Sequence, residues 1–352
     1  MKLLDSRNNA LTGGVVQYFD GSWHSFGTTG SDGSVSMVLA KRNYAFRMTF
    51  ANGQIEKWQN VGSNPTVVFQ TARVVVELKN SGSTGIGGGV AKYYSGSWYA
   101  FGTTGSDGTL SMELLPINYA FSIDYAHGHQ EKWQNVGTNS NVIFQTVNVI
   151  IQLKNSGGTG INGGVTKYYS NAWYGIGTTG NDGTISIELL PANYAFSMDY
   201  AYGHQEKWQN VGSNPTVVFQ TVRVVVEFKN SAGAGIGGGV AKYYSGGWHD
   251  IGTTDSSGQV SMELLPINYA FSIDYAHGHN EKWQNVGTNP AVTFQTGRVH
   301  SSSTACTQYY SGGWWTFSQD MELLPGKYLF RFNDKTPDTW YTVVAATNNT
   351  TH

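Results

Sequence analysis

The stretch Asn118-Tyr119-Ala120-Phe121-Ser122-Ile123-Asp124-Tyr125 alternates large apolar side chains with small or polar ones, residue by residue. A period of two is the pattern of a β-strand with one buried face. His127-Gly128-His129 turns the chain, and Glu131-Lys132-Trp133-Gln134-Asn135-Val136 returns. Upstream, residues 73–79 set Val74, Val76 and Leu78 on one face. A Gly-rich turn through Gly85, Gly87 and Gly89 then leads into Val90–Tyr94, a tight Ser95-Gly96 turn and Trp98–Thr103, which together read as a hairpin. Residues 110–114 alternate after Gly105-Ser106-Asp107-Gly108 and stop at Pro116, and Asn141–Gln145 closes the unit. No stretch keeps a helical period, so the unit is predicted to be seven short strands with turns between them.

The unit recurs. Glu-Lys-Trp-Gln-Asn-Val-Gly begins at Glu56, Glu131, Glu206 and Glu281, each 75 residues after the last, and such a fixed period marks a repeat architecture. It divides the 352 residues into repeats 1–71, 72–146, 147–221 and 222–296 and a shortened C-terminal repeat or cap, 297–352. Between one unit's last strand and the next unit's first, as in Asn-Val-Ile-Phe-Gln-Thr-Val-Asn-Val-Ile-Ile-Gln-Leu-Lys from Asn141 to Lys154, there is no Gly-, Pro- or Ser-rich spacer. Flexible linkers have that composition, so a stiff array is expected, on the order of 150 Å long at the rise of extended chain. Met1 and Lys2 align with Val76 and Glu77, which leaves the first unit without the beginning of its first strand. A strand from another chain would fill that vacancy, with residues 341–345 as the candidate donor.

Seven strands in about 75 residues fit a compact immunoglobulin-like sandwich and exceed the four of a propeller blade. Phe101-Gly102-Thr103-Thr104, Ser106-Asp107-Gly108, Leu114-Leu115-Pro116 and Tyr119-Ala120-Phe121 resemble the core of transthyretin-like carboxypeptidase-regulatory and CnaB-type modules. That resemblance implies a β-sandwich used as a stalk, spacer or adhesin building block. The whole repeat also resembles tandem repeats of large bacterial secreted or cell-surface proteins.

Composition excludes several classes of function. A formal net charge of −2 without a basic cluster gives no footprint for a nucleic acid or an anionic membrane. No apolar run approaches the length of a membrane span, and Met1-Lys2-Leu3-Leu4 leads straight into repeat sequence with no signal-peptide core. Cys306 is the single cysteine, which rules out an internal disulfide and a cysteine-based metal cluster. No nucleophile motif, paired-carboxylate constellation or phosphate loop is present, so neither an enzyme nor a cofactor is expected.

Two patterns invite a metal reading and are better explained without one. His127-x-His129 and His277-x-His279 sit beside Asp124 and Asp274, but the other copies read Tyr202-Gly203-His204 and Asn52-Gly53-Gln54. Asp32-Gly33, Asp107-Gly108 and Asp182-Gly183 lack the further oxygen donors of a calcium loop and become Ser257-Gly258 in the fourth copy, as a β-turn allows. Asn-Xaa-Ser/Thr sequons occur at Asn348 and Asn349 only.

Aromatic residues, 14% of the chain against 12% charged, are the remaining candidates. Adjacent tyrosines such as Tyr93 and Tyr94 point to opposite faces of a strand, so one ring enters the core and the other faces out. Tyr18, Trp23, Trp58, Tyr93, Trp98, Trp133, Tyr169, Trp173, Trp208, Tyr244, Trp248 and Trp283 either pack the core and the contacts between units or form platforms for a glycan beside Glu, Gln and Asn. The expectation is a non-enzymatic extracellular or cell-surface structural protein, associating end to end. The alternative is a multivalent carbohydrate-binding protein.

Overall fold

The computed structural model describes residues 1–334 and 337–351, and the side chains of Asn349, Thr350 and Thr351 lie outside the description, the Asn349 sequon among them. Among the described residues every regular element is a strand. The protein is all-β and built of repeated sandwiches of about seven strands. Among the described residues no helix is long and apolar enough to cross a membrane.

The second repeat shows the pattern. Its strands are Ala72–Lys79, Val90–Tyr94, Trp98–Thr103, Thr109–Leu114, Asn118–Tyr125, Gly128–Asn135 and Asn141–Gln145. Ala72–Lys79 lies at the centre of a three-stranded sheet, antiparallel to Thr109–Leu114 and parallel to Asn141–Gln145. The other four form an antiparallel sheet in the spatial order third, second, fifth, sixth. Val74, Val76 and Leu78 from one sheet and Tyr119, Phe121 and Ile123 from the other are buried against each other, as the alternation predicts.

The Gly-rich turn is held by a buried threonine. Thr104 Oγ1 donates to the Ile86 carbonyl at 2.9 Å and accepts from the Gly89 amide at 2.9 Å. Asp107 closes the next turn by accepting from the amide and hydroxyl of Thr109, both at 2.9 Å. Those hydrogen bonds hold its carboxyl below the usual carboxylate range, and its role is that of a turn residue.

The heptapeptide is the sixth strand and the turn after it. Its inward residues bind the edge of the last strand: Lys132 Nζ donates to the Ile143 carbonyl, and Gln134 Nε2 donates to the carbonyls of Asn139 and Asn141, each at 2.7 Å. Carbonyls that would otherwise form an open sheet edge are thereby capped. The outward residues, Glu131 and Trp133, stay exposed.

Because the first and last strands of a unit run parallel, the chain enters at one end of the sandwich and leaves at the other. Thr146 alone separates Asn141–Gln145 from the next first strand, Val147–Lys154. The first repeat differs from the others in one sheet. Lys2–Leu4 pairs as a strand with Val68–Gln70 and makes isolated bridges to Ser34 and Ala10, Met1 and Val35 exchange backbone hydrogen bonds, and residues 36–40 run on unpaired with Val38 98% exposed. The proposed donor lies elsewhere. Thr339–Val343 is already paired with the Gly326–Phe332 strand of the last unit, with Val343 buried, so donation would require it to leave that sheet.

Candidate functional site: the repeated junction

Four contacts between successive units use the same residues at the same places. The first is a carboxylate clamp. Glu188 accepts from the Ser81 amide at 3.2 Å, from the Ser81 hydroxyl at 2.5 Å and from the Thr146 hydroxyl. Glu113 does the same for Ser6 and Thr71, Glu263 for Ser156 and Thr221, and Glu322 for Ser231 and Thr296. A carboxylate accepting several donors is strongly held. For Glu263, burial alone would raise the pKa, but the bonds from Ser156 and Thr221 outweigh it and leave the carboxyl below its ordinary range.

The second is a leucine key. Leu114 and Leu115 are neighbours and so point opposite ways: Leu114 fills its own core, and Leu115 is buried in the core of the preceding unit with Leu3, Phe46 and Phe69. Leu190, Leu265 and Leu324 repeat the arrangement in the cores of the second, third and fourth units. A fully buried leucine contributes about 1.5–3 kcal/mol from burial alone.

The third contact involves a strained turn. The Asn118–Tyr125 and Gly128–Asn135 strands join through Ala126 and His127, whose φ angles are 46° and 59°. A turn with both central residues at positive φ normally carries Gly or Asn. The sequence places the turn at His127-Gly128-His129; in the structure Gly128 opens the next strand. The strained carbonyls are taken up across the junction. Tyr168 Oη donates to Ala126 O at 3.1 Å and Ser170 Oγ to His127 O at 2.6 Å, and the His127 ring stacks on Tyr174 at 3.6 Å between centroids. Tyr93, Tyr243 and Tyr309 make the corresponding bonds to Ala51, Ala201 and Ala276.

Gly128 matters through space. A Cβ there would sit 2.2 Å from the Tyr194 hydroxyl of the next unit, so only glycine admits that ring. Tyr194 donates in turn to the Leu190 carbonyl at 3.1 Å. Burial first, and Tyr168 second, push its pKa to about 12, so it stays a neutral donor at ordinary pH.

The aromatic candidates separate into two groups. Tyr93 lies in the core and reaches the junction, and Tyr18, its counterpart, packs edge-on against Tyr44 at 5.8 Å. Tyr169 and Tyr244 belong to the other face, aligned with Tyr94 rather than Tyr93. Trp58, Trp133, Trp208 and Trp283 are 67–71% exposed on the outer face of the four-stranded sheets. Trp98, Trp173 and Trp248 lie on the same face at the opposite edge of the sheet, 39–40% exposed, and Trp23 is half-buried. Tyr310, Trp314 and Trp340 extend the outer pattern to the last unit; aligning Tyr-Tyr-Ser-Gly-Gly-Trp at Tyr309 with the earlier copies finds the first two. The histidine pairs also divide. His127 stacks at the junction, while His129 lies on the outer face between Asp124 at 2.6 Å and Glu131 at 3.0 Å.

No family model and no curated protein matches the chain. Among solved structures it is similar to the Bacillus anthracis TIE protein, at 11% identity and a TM-score of 0.21, covering 81% of this chain and 68% of that one. It is also similar to a Streptococcal ancillary pilin, at 12% and 0.21, covering 63% and 97%. BcpA, the major pilin subunit of Bacillus cereus, stands at 12% and 0.19, covering 63% and 97%. Likenesses this distant support no functional inference, which rests instead on the junction.

Proposed function

We propose that the chain is a non-enzymatic structural protein of the cell exterior, a stiff array serving as stalk, adhesin segment or filament subunit. The observation that carries this reading is the fourfold junction: a leucine of each unit completes the core of the one before, and a carboxylate, a tyrosine and a serine bond across the same boundary. Modules that share core residues cannot swing independently without opening a cavity. Small-angle scattering of the full chain tests it. The expected profile is that of a rod of constant cross-section, and a profile of beads on flexible linkers would refute it.

The reading includes end-to-end association. In the first unit residues 36–40 run on without backbone pairing, and another extended segment can add backbone hydrogen bonds to them. Light scattering over a hundredfold range of concentration checks this, with growth in mass expected and a strictly monomeric species contradicting it.

A further inference from the structure

The outer face of the four-stranded sheets carries side chains that the junctions leave unused. In the second unit, strand register places Trp98, Tyr94, Ala120 and Trp133 in one transverse row and Ala100, Lys92, Ser122 and Glu131 in the next. Tyr94 packs edge-on against both indoles, at 5.4 and 6.4 Å between centroids. The second row thus sets a cation, a hydroxyl and a carboxylate beside two exposed rings. Ser122, 1% exposed, lies on this face with a hydroxyl that has no partner, and so does Ser197 in the third unit.

The two end units build the same face differently. Arg47 occupies the Ser122 position, and its guanidinium lies 3.8 Å over the Trp23 ring and bonds Glu56 at 2.6 Å. In the last unit Arg331 lies 3.5 Å over Trp314. The lysine position there is Gln17 and Gln308. A flat group between indole and carboxylate is therefore an arrangement that this face accommodates, and the end units supply it from within. In the three middle units Ser122, Ser197 and Ser272 stand where the end units have these arginines, and a serine is too short to cover the indole.

We propose that these three middle units bind a pyranose polysaccharide on that face. A pyranose with equatorial hydroxyls has a flat C–H side that covers an indole, and its rim needs both donors and acceptors. Trp98 and Trp133 supply the apolar surface, Glu131 accepts from sugar hydroxyls, Lys92 donates to them, and Ser122 gains the partner it lacks. An arginine side chain from a protein partner fits less well, because His129 already bonds Glu131 at 3.0 Å, where Arg47 bonds Glu56 in the first unit. Three corresponding sites on one stiff chain, the third with Lys242 paired to Asp250 at 3.4 Å, raise the apparent affinity well above that of one.

The test uses the full chain, insoluble cellulose and chitin for retention, and cellohexaose and N-acetylchitohexaose for titration by tryptophan fluorescence. The variant Ser122→Arg/Ser197→Arg/Ser272→Arg installs a residue that the chain already carries at two equivalent positions, so the fold is kept, as circular dichroism and the unfolding midpoint verify. Retention of the wild type and loss of about 10²-fold or more in apparent affinity in the variant are expected. A second variant, Trp98→Ala/Trp173→Ala/Trp248→Ala, should lose binding to the same extent. The proposal is overturned if none of the four glycans binds, if the arginine variant binds as the wild type does, or if an arginine-rich peptide binds in their place.

Discussion

The Ser81 hydroxyl donates to Glu188 Oε1 at 2.5 Å, tying a turn of the second unit to a strand of the third across 107 residues of sequence. The same carboxylate holds Thr146, the one residue between the adjoining strands of the two units. Changing Glu188 to Ala leaves these donors without their acceptor and should destabilise the junction by about 1–3 kcal/mol. Glu188→Gln keeps the shape and one acceptor oxygen and should cost less. Urea unfolding of the full chain measures both, and equal stability of wild type and Glu188→Ala would remove the clamp from the account.

Leu190 belongs to the third unit by sequence and to the second by packing. Leu190→Ala should cost about 2–5 kcal/mol, the usual range for a large-to-small change in a close-packed interior. The specific sign is where the loss appears: hydrogen exchange should quicken in Ala72–Lys79 and Asn118–Tyr125, strands of the unit that does not contain the substitution. Faster exchange confined to residues 147–221 would contradict a shared core.

Gly128→Ala forces a methyl group against Tyr194 Oη and should cost about 1–3 kcal/mol by overpacking. Tyr194→Phe in the same chain removes the clashing oxygen, so the double variant should recover part of the loss. Strict additivity of the two changes would show that they do not meet.

Stability should fall on both sides of a window in pH. Bonds to Glu131 first and Asp124 next raise the pKa of His129 above its ordinary 6.5, and Glu206 and Asp199 do the same for His204. For His279 burial opposes the shift, and Glu281 with Asp274 outweighs it. A raised folded-state pKa gives stability that is fully present below 6.5 and is lost as pH rises through the folded value. Glu263 has the opposite sign: its lowered pKa gives stability present above its ordinary 4.5 and lost as pH falls through the folded value. The histidines are about half exposed, so solvent screening keeps their contribution small. Thermal midpoints from pH 3 to 9 check the shape, and Glu131→Gln/Glu206→Gln/Glu281→Gln should flatten the alkaline side.

The strands were legible because burial on one face forces a period of two, and residues 118–125 carry it plainly. What the pattern could not show is where the second of two adjacent leucines goes. Leu115 obeys the same alternation as Leu114, yet its partner surface belongs to another unit, and a strand pattern contains no information about neighbours. A hint was present in the first copy, where Val38-Leu39-Ala40-Lys41 replaces Glu113-Leu114-Leu115-Pro116. The turn at Ala126 and His127 was hidden for a different reason, since its positive φ angles are held by bonds from the next unit rather than by residue type. Among the aromatics, choosing Tyr93 beside Tyr169 and Tyr244 mixed two faces of a strand; strict alignment by 75 residues would have paired it with Tyr168 and Tyr243.

Rigidity of the junction is the claim on which the structural role depends. Spin labels at Ser106→Cys and Ser256→Cys, exposed equivalent positions two units apart, report it directly by pulsed electron resonance. The account predicts a single narrow distance distribution that broadens when Glu188→Ala and Leu190→Ala are introduced together. A broad or multimodal distribution in the unaltered junction would contradict it.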